Sequence, residues 1–541
     1  MITGRCALMR RLAVVAGLPL VLLLSTAVPA MADSASAGAD VMVAQTLGDC
    51  ELTVVLRRVT SVPGPLSVDI ITHTGTAPGG LALAVTPTGT TSAAPGSSAP
   101  GTPTAEVTVE LGAQAGSYSA TVPVDRPGPW ELEIGDGQRT ARIPFAVTKQ
   151  VISPPERLAY GGLITAGALL LVSGVLAARA RRAGWALVPA GGALAALSAA
   201  VTAALLSSSL PLPPQPGSQI DPGVDNVGDP YALNKPLIAD YSRPPVTLTL
   251  QSSAVVAGNP ADVDLKLTDG STGLPVDDLL VHDDALIHLL VMGPTGQLWH
   301  LHPIRTAPGR YQQHLRLPAP GHYAISAEMV RRGGGVQRVR AATGLTAIAA
   351  SRPDALATGA AANPVHLGNG SLAVTTPVGT TSVSLITTQP VADTPVTVAA
   401  RVGDTADLQL WLGMVGHMIV AGPLPPTNTN DIGTAVQSAP VWAHTHSMGG
   451  MLASDHSMAG MVMTNRTGTM DNSMIAMNPV NGDSAPDETV AGYGPDVPFT
   501  FTFPAAGEYR LWVQVERDYT LLTIPVVIDV VDESSVQGMR P

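Results

Sequence analysis

Ile287-His288-Leu289-Leu290-Val291-Met292-Gly293-Pro294-Thr295-Gly296-Gln297-Leu298-Trp299-His300-Leu301-His302 decides how this chain is read. Two apolar runs flank a Gly-Pro-Thr-Gly-Gln turn. Pro294 presets the first φ of a type I turn and Gly296 supplies the left-handed position, so the spacing predicts a three-residue hairpin loop. With Gly293 facing Gln297, His288 falls opposite His302, and His300 lies on the same face, because alternate strand residues share a side. A two-residue loop would turn His288 to the other face.

Similar short runs, rich in Val, Thr, Ile and Leu and broken by Gly, Pro, Asp and Asn, recur outside the most apolar segments. Val246 to Leu250 and Asp262 to Leu267 show the period-2 alternation of antiparallel strands. A turn recurs three times: Gly128-Pro129-Trp130, Gly321-His322-Tyr323 and Gly507-Glu508-Tyr509 each place Gly two residues before an aromatic that opens a strand. Three β-sandwiches follow, at 40–150, 244–350 and 364–535, with an insertion at 422–497 that lacks strand pattern. Residues 86–103 read as a loop of Gly, Pro, Ser and Thr.

The N-terminus carries Arg5, Arg10 and Arg11 before an apolar run from Leu12 to Leu24 and small-residue cleavage patterns, the signature of a signal peptide at 1–32. Its removal takes Cys6 and leaves Cys50 without an internal disulfide partner. Two further apolar runs form a transmembrane helical hairpin at 158–206, followed by a Pro/Ser-rich linker at 207–243. The loop Arg179-Ala180-Arg181-Arg182 assigns the cytoplasmic side, so both flanking regions face outside the cell membrane. Gly161, Gly162, Gly167, Gly174, Gly191 and Gly192 allow the helices to approach closely. No ionisable group lies within the spans, which favours an anchor over a transport path. A net charge of -12 argues against nucleic acid as the partner. Gly at 55 and Pro at 48, together about 19% of the chain, stay below the level of a disordered one.

Eleven of the 12 His follow the hairpin. His417 with Trp442-Ala443-His444-Thr445-His446 repeats the order of His288, His300 and His302, so each triplet can converge on one metal ion. Isolated His73, His314 and His366 read as solvated or hydrogen-bonded side chains. After the second pair, His446-Ser447-Met448-Gly449-Gly450-Met451 recurs as His456-Ser457-Met458-Ala459-Gly460-Met461, followed by Met463. Thioether and imidazole together suit copper, with Cu(I) favoured by the Met-rich loop. Asp283 and Asp284 are either supporting oxygen groups or a solvated turn.

Cys50 has no nearby His for a blue-copper site, the His-x-His pairs are too few for a multicopper oxidase, and no metalloprotease, serine-hydrolase or phosphate-loop motif occurs. The expectation is that the chain is not an enzyme.

Asp269-Gly270-Ser271-Thr272-Gly273-Leu274-Pro275-Val276-Asp277-Asp278-Leu279, His282, Ile287-His288-Leu289, His300-Leu301-His302-Pro303 and the turn from Pro318 to Tyr323 resemble the YtkA-like family of exported bacterial domains. The stretch from Asp407 to His417 and the His444/His446 pair look like a divergent sibling, with Ser447 where the first copy has Pro303. The resemblance covers residues 244–535 and implies an immunoglobulin-like or cupredoxin-like sandwich associated with copper handling. The expected fold class is therefore mainly β, three such sandwiches plus the transmembrane hairpin. The expected function is extracytoplasmic copper binding for sequestration, buffering or delivery, with a copper transporter or oxidase as partner. The alternatives are an adhesion or structural ectodomain and an accessory subunit of a membrane oxidase or transporter.

Overall fold

The computed structural model describes residues 40–57, 59, 62–88, 101–147, 154–179, 183–207, 244–252, 255–331, 335–350, 363–425, 431–447 and 488–534. The expected signal peptide at 1–32, the expected linker beyond Ser207 and the Met-rich stretch lie outside them.

The protein is mainly β. In the first sandwich, β1 (Val41–Leu47), β2 (Cys50–Leu56), β3 (Gly64–Thr72) and β6 (Gly116–Val124) form one antiparallel sheet. The other contains β4 (Gly79–Pro87), β5 (Ala105–Leu111), β7 (Gly128–Gly135) and β8 (Thr140–Val147). Along β7 alternate residues, including Trp130, Leu132 and Ile134, point inward, as a half-buried strand requires.

The second sandwich pairs β9 (Val246–Ser252), β11 (Pro260–Asp269), β15 (Ile304–Ala307) and β16 (Arg310–Arg316) in one sheet. The opposite sheet holds β10 (Val255–Val256), β12 (Leu279–Leu280), β13 (His288–Met292), β14 (Leu298–Leu301), β17 (Gly321–Arg331), β18 (Gly335–Arg340) and β19 (Leu345–Ile348). In the third, β21 (Ala373–Val378), β22 (Thr381–Thr387), β23 (Pro395–Val402) and β28 (Asp496–Thr502) face the sheet of β20 (Val365–Gly368), β24 (Leu408–Gln409), β25 (Gly416–Gly422), β26 (Val441–Ser447), β27 (Ala491–Tyr493), β29 (Gly507–Arg517) and β30 (Thr520–Val530). Within each of these two sheets one short pair is parallel, β10 with β19 and β20 with β30.

The three repeated turns have one chemistry. Gly128, Gly321 and Gly507 adopt φ of 131°, 141° and 138°, a region glycine reaches without steric cost. Each following ring is buried and donates to the carbonyl four residues upstream: Trp130 Nε1 to Arg126 O at 3.1 Å, Tyr323 Oη to Ala319 O at 2.7 Å, and Tyr509 Oη to Ala505 O at 2.9 Å. At Tyr323 and Tyr509 this is the tyrosine-corner device, which ties a sandwich's end to its core, and Trp130 makes the same tie through its indole N–H.

Of residues 422–497, expected to lack strand pattern, the described parts at 431–447 and 488–497 carry a short helix and the strands β26 and β27. Helix α3 of the third sandwich, spanning Ile432–Ser438, is capped by Asp431, whose carboxylate accepts from Thr434 N. Ile432, Ala435, Val436 and Ala439 repeat at 0, 3, 4 and 7, a helical stripe. That stripe packs with Leu290, Met292 and Ala324 of the second sandwich and Ile419, Ala421, Trp442 and Trp512 of the third, forming one apolar layer between them. The second and third sandwiches thus meet sheet face to sheet face.

Two helices, α1 (Pro154–Arg179) and α2 (Leu187–Ser207), connect the first sandwich to the rest and are long and apolar enough to cross a membrane. They pack through small residues: a Cβ on Gly162 would stand 2.8 Å from Ala196 O. Only Gly162 and Gly192 of the six glycines face the other helix so closely. Ile164, Leu171 and Leu187 project outward, each more than 70% exposed.

Candidate metal centre

The hairpin adopts the three-residue loop. Gly293 N donates to Gln297 O at 2.9 Å, Gly296 has φ 84°, and Leu290 pairs with His300. His288, His300 and His302 therefore share one face, and their ligand atoms lie within 4.8 Å of one another. In the third sandwich His417 pairs with His446 across β25 and β26, and His417, His444 and His446 converge equally closely.

The two triplets, distinct sites on sequence grounds, are one continuous cluster. His300 and His444 have ring centroids 5.1 Å apart, His288 and His444 5.6 Å, and His300 and His417 5.7 Å. The sandwiches present the same parts to each other. His288 lies across from Glu328 and His417 across from Gln514 on the neighbouring strands. Those two residues then reach the opposite triplet: Gln514 Oε1 lies 3.1 Å from His300 Nδ1, and Glu328 Oε1 lies 3.7 Å from His444 Nδ1.

The hydrogen bonds assign tautomers. His288 Nε2 donates to His282 O at 2.9 Å, leaving the lone pair on Nδ1. His300 Nδ1 donates to Gln514, whose amide is oriented by a 3.0 Å bond from its Nε2 to Thr523 Oγ1, so the lone pair is on His300 Nε2. His302 Nδ1 donates to the Glu51 carboxylate, and its Nε2 is buried with no hydrogen-bond partner among the described residues. The second-sandwich triplet thus offers three lone pairs, each fixed by an oxygen behind the ring, the arrangement that metal-binding histidines use. His288 Nδ1 and His300 Nε2 stand 3.1 Å apart with both lone pairs exposed to each other. That contact is repulsive without a cation, and two nitrogens ~2.0–2.1 Å from a common ion stand roughly 3 Å apart.

The third-sandwich triplet repeats part of this. His417 Nε2 donates to Trp411 O at 2.9 Å, and its Nδ1 stands 3.0 Å from His444 Nε2. His444 Nδ1 and His446 Nε2 are buried without hydrogen-bond partners among the described residues. Burial, followed by the charge of neighbouring imidazoles, holds His288 at about 4 and His300, His417 and His444 well below the usual value. His446 is lowered, chiefly by burial. These rings are neutral at pH 7, the form that binds metal.

The first sandwich also reaches the site, which the sequence did not reveal. Thr46 N donates to His302 O at 2.7 Å, and His302 N donates to Thr46 Oγ1 at 2.8 Å. Burial works to raise Glu51, but the neighbouring His302 prevails and lowers it. Of the two readings open for His73, solvated or hydrogen-bonded, the structure takes the second: it is buried against Glu516 at 2.6 Å. Glu328 is lowered by Arg338 against the effect of burial. Asp283 lies 3.1 Å from His282 Nε2 and 3.6 Å from His446 Nε2, and with Asp284 forms a turn at φ 45° and 54°. Cys50 is a free, half-buried thiol. His456, Met448, Met451, Met458, Met461 and Met463 lie outside the described residues.

A sequence family described as a domain of unknown function, DUF8832, matches residues 476–532. No curated protein matches the chain. Among solved structures, the chain is similar to dimeric latent PorU from Porphyromonas gingivalis at 8% identity and TM-score 0.16, covering 87% of this chain but 32% of that one. The Escherichia coli adhesin FdeC matches at 9% identity and TM-score 0.14, covering 92% and 98% of the two chains. Invasin, a bacterial integrin-binding protein, matches at 8% identity and TM-score 0.14, covering 91% and 60%. The chain spans about a third of PorU's length, and TM-scores of this size carry no argument about architecture or role.

Proposed function

We propose that this is a membrane-anchored, extracytoplasmic metal-binding protein without catalytic activity, whose second and third sandwiches together hold a transition-metal ion, copper being the ion the residues favour. One observation carries the reading: a ligand nitrogen of each of His288, His300 and His302 lies within 4.8 Å of the other two, while His282 O, Gln514 and Glu51 hold the opposite ring nitrogens and leave His288 Nδ1, His300 Nε2 and His302 Nε2 with the lone pairs. Neutral imidazoles suit copper, zinc and nickel alike, and the Met448 to Met463 segment tilts the choice to copper through soft thioether sulfur. The resemblance of residues 244–535 to YtkA-like domains agrees with that choice. The helical pair serves as the anchor, and storage, buffering or transfer to a transporter or oxidase follows from reversible binding.

The test is competition titration of the purified full-length protein with Cu(I), Cu(II) and Zn(II), beside a variant carrying His300→Ala, His302→Ala, His444→Ala and His446→Ala. Retention of copper by the parent at micromolar competitor and its loss from the variant is expected. Equal retention, or none in either, refutes the metal reading. Failure to bind any ion by a folded protein would leave an adhesion ectodomain, which the three stacked sandwiches favour.

A further inference from the structure

A second group of metal-ligating side chains is buried where the first and third sandwiches meet. His73 follows β3, Glu488 precedes β27, and Glu516 lies near the end of β29. His73 is 8% exposed, and both glutamates are at 0%. Glu516 Oε1 stands 2.6 Å from His73 Nδ1, and Glu488 Oε2 stands 3.5 Å from His73 Nε2. Thr53 Oγ1 donates to Glu488 Oε2 at 2.5 Å and lies 3.4 Å from His73 Nε2. One ligand atom from each of His73, Glu488 and Glu516 lies within 4.8 Å of the other two.

One imidazole faces two carboxylates here, so even as imidazolium it offsets only one of their charges. Among the described residues, the ion pairs of both carboxylates run only to His73. Glu516 Oε2 is buried with no hydrogen-bond partner among the described residues, a lone-pair bearer that has lost its water and gained nothing in return. A proton on Glu488 would relieve part of the charge and still leave Glu516 Oε2 unmatched. A divalent cation supplies charge and a partner together.

We propose that His73, Glu488 and Glu516 form a second metal site, separate from the six-histidine centre, for a divalent cation of the zinc, manganese or iron(II) type. One imidazole and two carboxylates suit these borderline-to-hard ions, whereas thiolate and thioether suit Cu(I). The ligands come from two sandwiches, so the ion clamps the first sandwich onto the third. Leu412 N donates to Glu488 Oε1 at 3.1 Å and holds that carboxylate in place from the side away from His73.

The experiment uses the full-length protein in detergent, stripped with chelator, in a background carrying His300→Ala, His302→Ala, His444→Ala and His446→Ala, which leaves a single imidazole in each triplet of the histidine centre. The protein is equilibrated with Zn(II) or Mn(II), desalted and assayed for bound metal, and its melting temperature is recorded with and without the ion. A single zinc per chain and a rise in melting temperature are expected. Glu488→Gln and Glu516→Gln, which preserve shape and remove charge, should weaken retention by at least about tenfold and abolish the rise, while the metal-free melting temperature stays at or above that of the background. No retained zinc or manganese in the background, or equal retention in the Gln variants, overturns the proposal. Neither result bears on copper at the histidine centre, which the earlier titration reads.

Discussion

Glu51→Ala offers the sharpest test of how the centre is assembled, because Glu51 lies in the first sandwich and the imidazole it orients lies in the second. The carboxylate accepts from His302 Nδ1 and so keeps the Nε2 lone pair directed at His288 and His300. Without it, His302 is held at its backbone by Thr46 but is free to change tautomer. Loss of an oxygen behind a ligating histidine weakens metal binding by about 10–100-fold, equivalent to about 1.4–2.7 kcal/mol. Glu51→Gln retains an acceptor oxygen but not the charge, so its loss should fall between parent and Ala. Competition titration with copper at pH 7 reads the effect. Asp49→Ala, whose side chain is 70% exposed, is the neighbouring control. An affinity for Glu51→Ala within twofold of parent would refute the assignment of His302 as a ligand oriented across the domain boundary.

Two other perturbations probe the frame and its charge. Trp512→Ala removes a ring that is 1% exposed, donates to Gly296 O at 2.9 Å and fills the layer between the second and third sandwiches. Urea unfolding should show a loss of about 3–5 kcal/mol, and copper affinity should fall with it; unchanged affinity would mean that the triplets bind independently. Asp284 is raised to about 7 by burial and then by Asp283. The unfolded chain releases that proton near pH 4 and the native chain holds it to about 7, so ionisation costs native stability progressively over that window. Metal-free Asp284→Asn should therefore melt higher than parent at pH 8, with the gap closing toward pH 4; parallel melting curves would overturn this.

The hairpin was legible because Pro294, Thr295 and Gly296 fix both loop length and turn type, and strand period then fixes which face each His takes. The repeated Gly and aromatic corners were legible for the same reason: both are local. Helix α3 left a local trace as well, Asp431 before Ile432, Ala435, Val436 and Ala439, a helical stripe with none of the alternation that marks a strand. The union of the triplets was not legible, because it depends on two sheet faces meeting, and no local period encodes that contact. Glu51 and His73 were hidden more deeply. Their partners, His302 and Glu516, are separated from them by 251 and 443 residues, and an acid on a strand or a solitary His just past one is otherwise an ordinary surface feature.

The position of the helical pair in the chain imposes a parity condition. Strands β1 and β2 precede α1 and α2, while β13, β14 and β29 follow them, yet Thr46 bonds to His302 and His73 to Glu516. Parts that touch must lie in one compartment, so the chain between them can cross a bilayer only an even number of times. If one helix threads, the other must return, and a variant with a single crossing would place Glu51 and His302 on opposite sides. Both histidine-bearing faces are also synthesised after the pair. If the pair spans a bilayer, the oxygen behind His302 waits on its own side while the rest of the chain is made, and the centre can be completed only once the second helix has brought the later sandwiches back to that side.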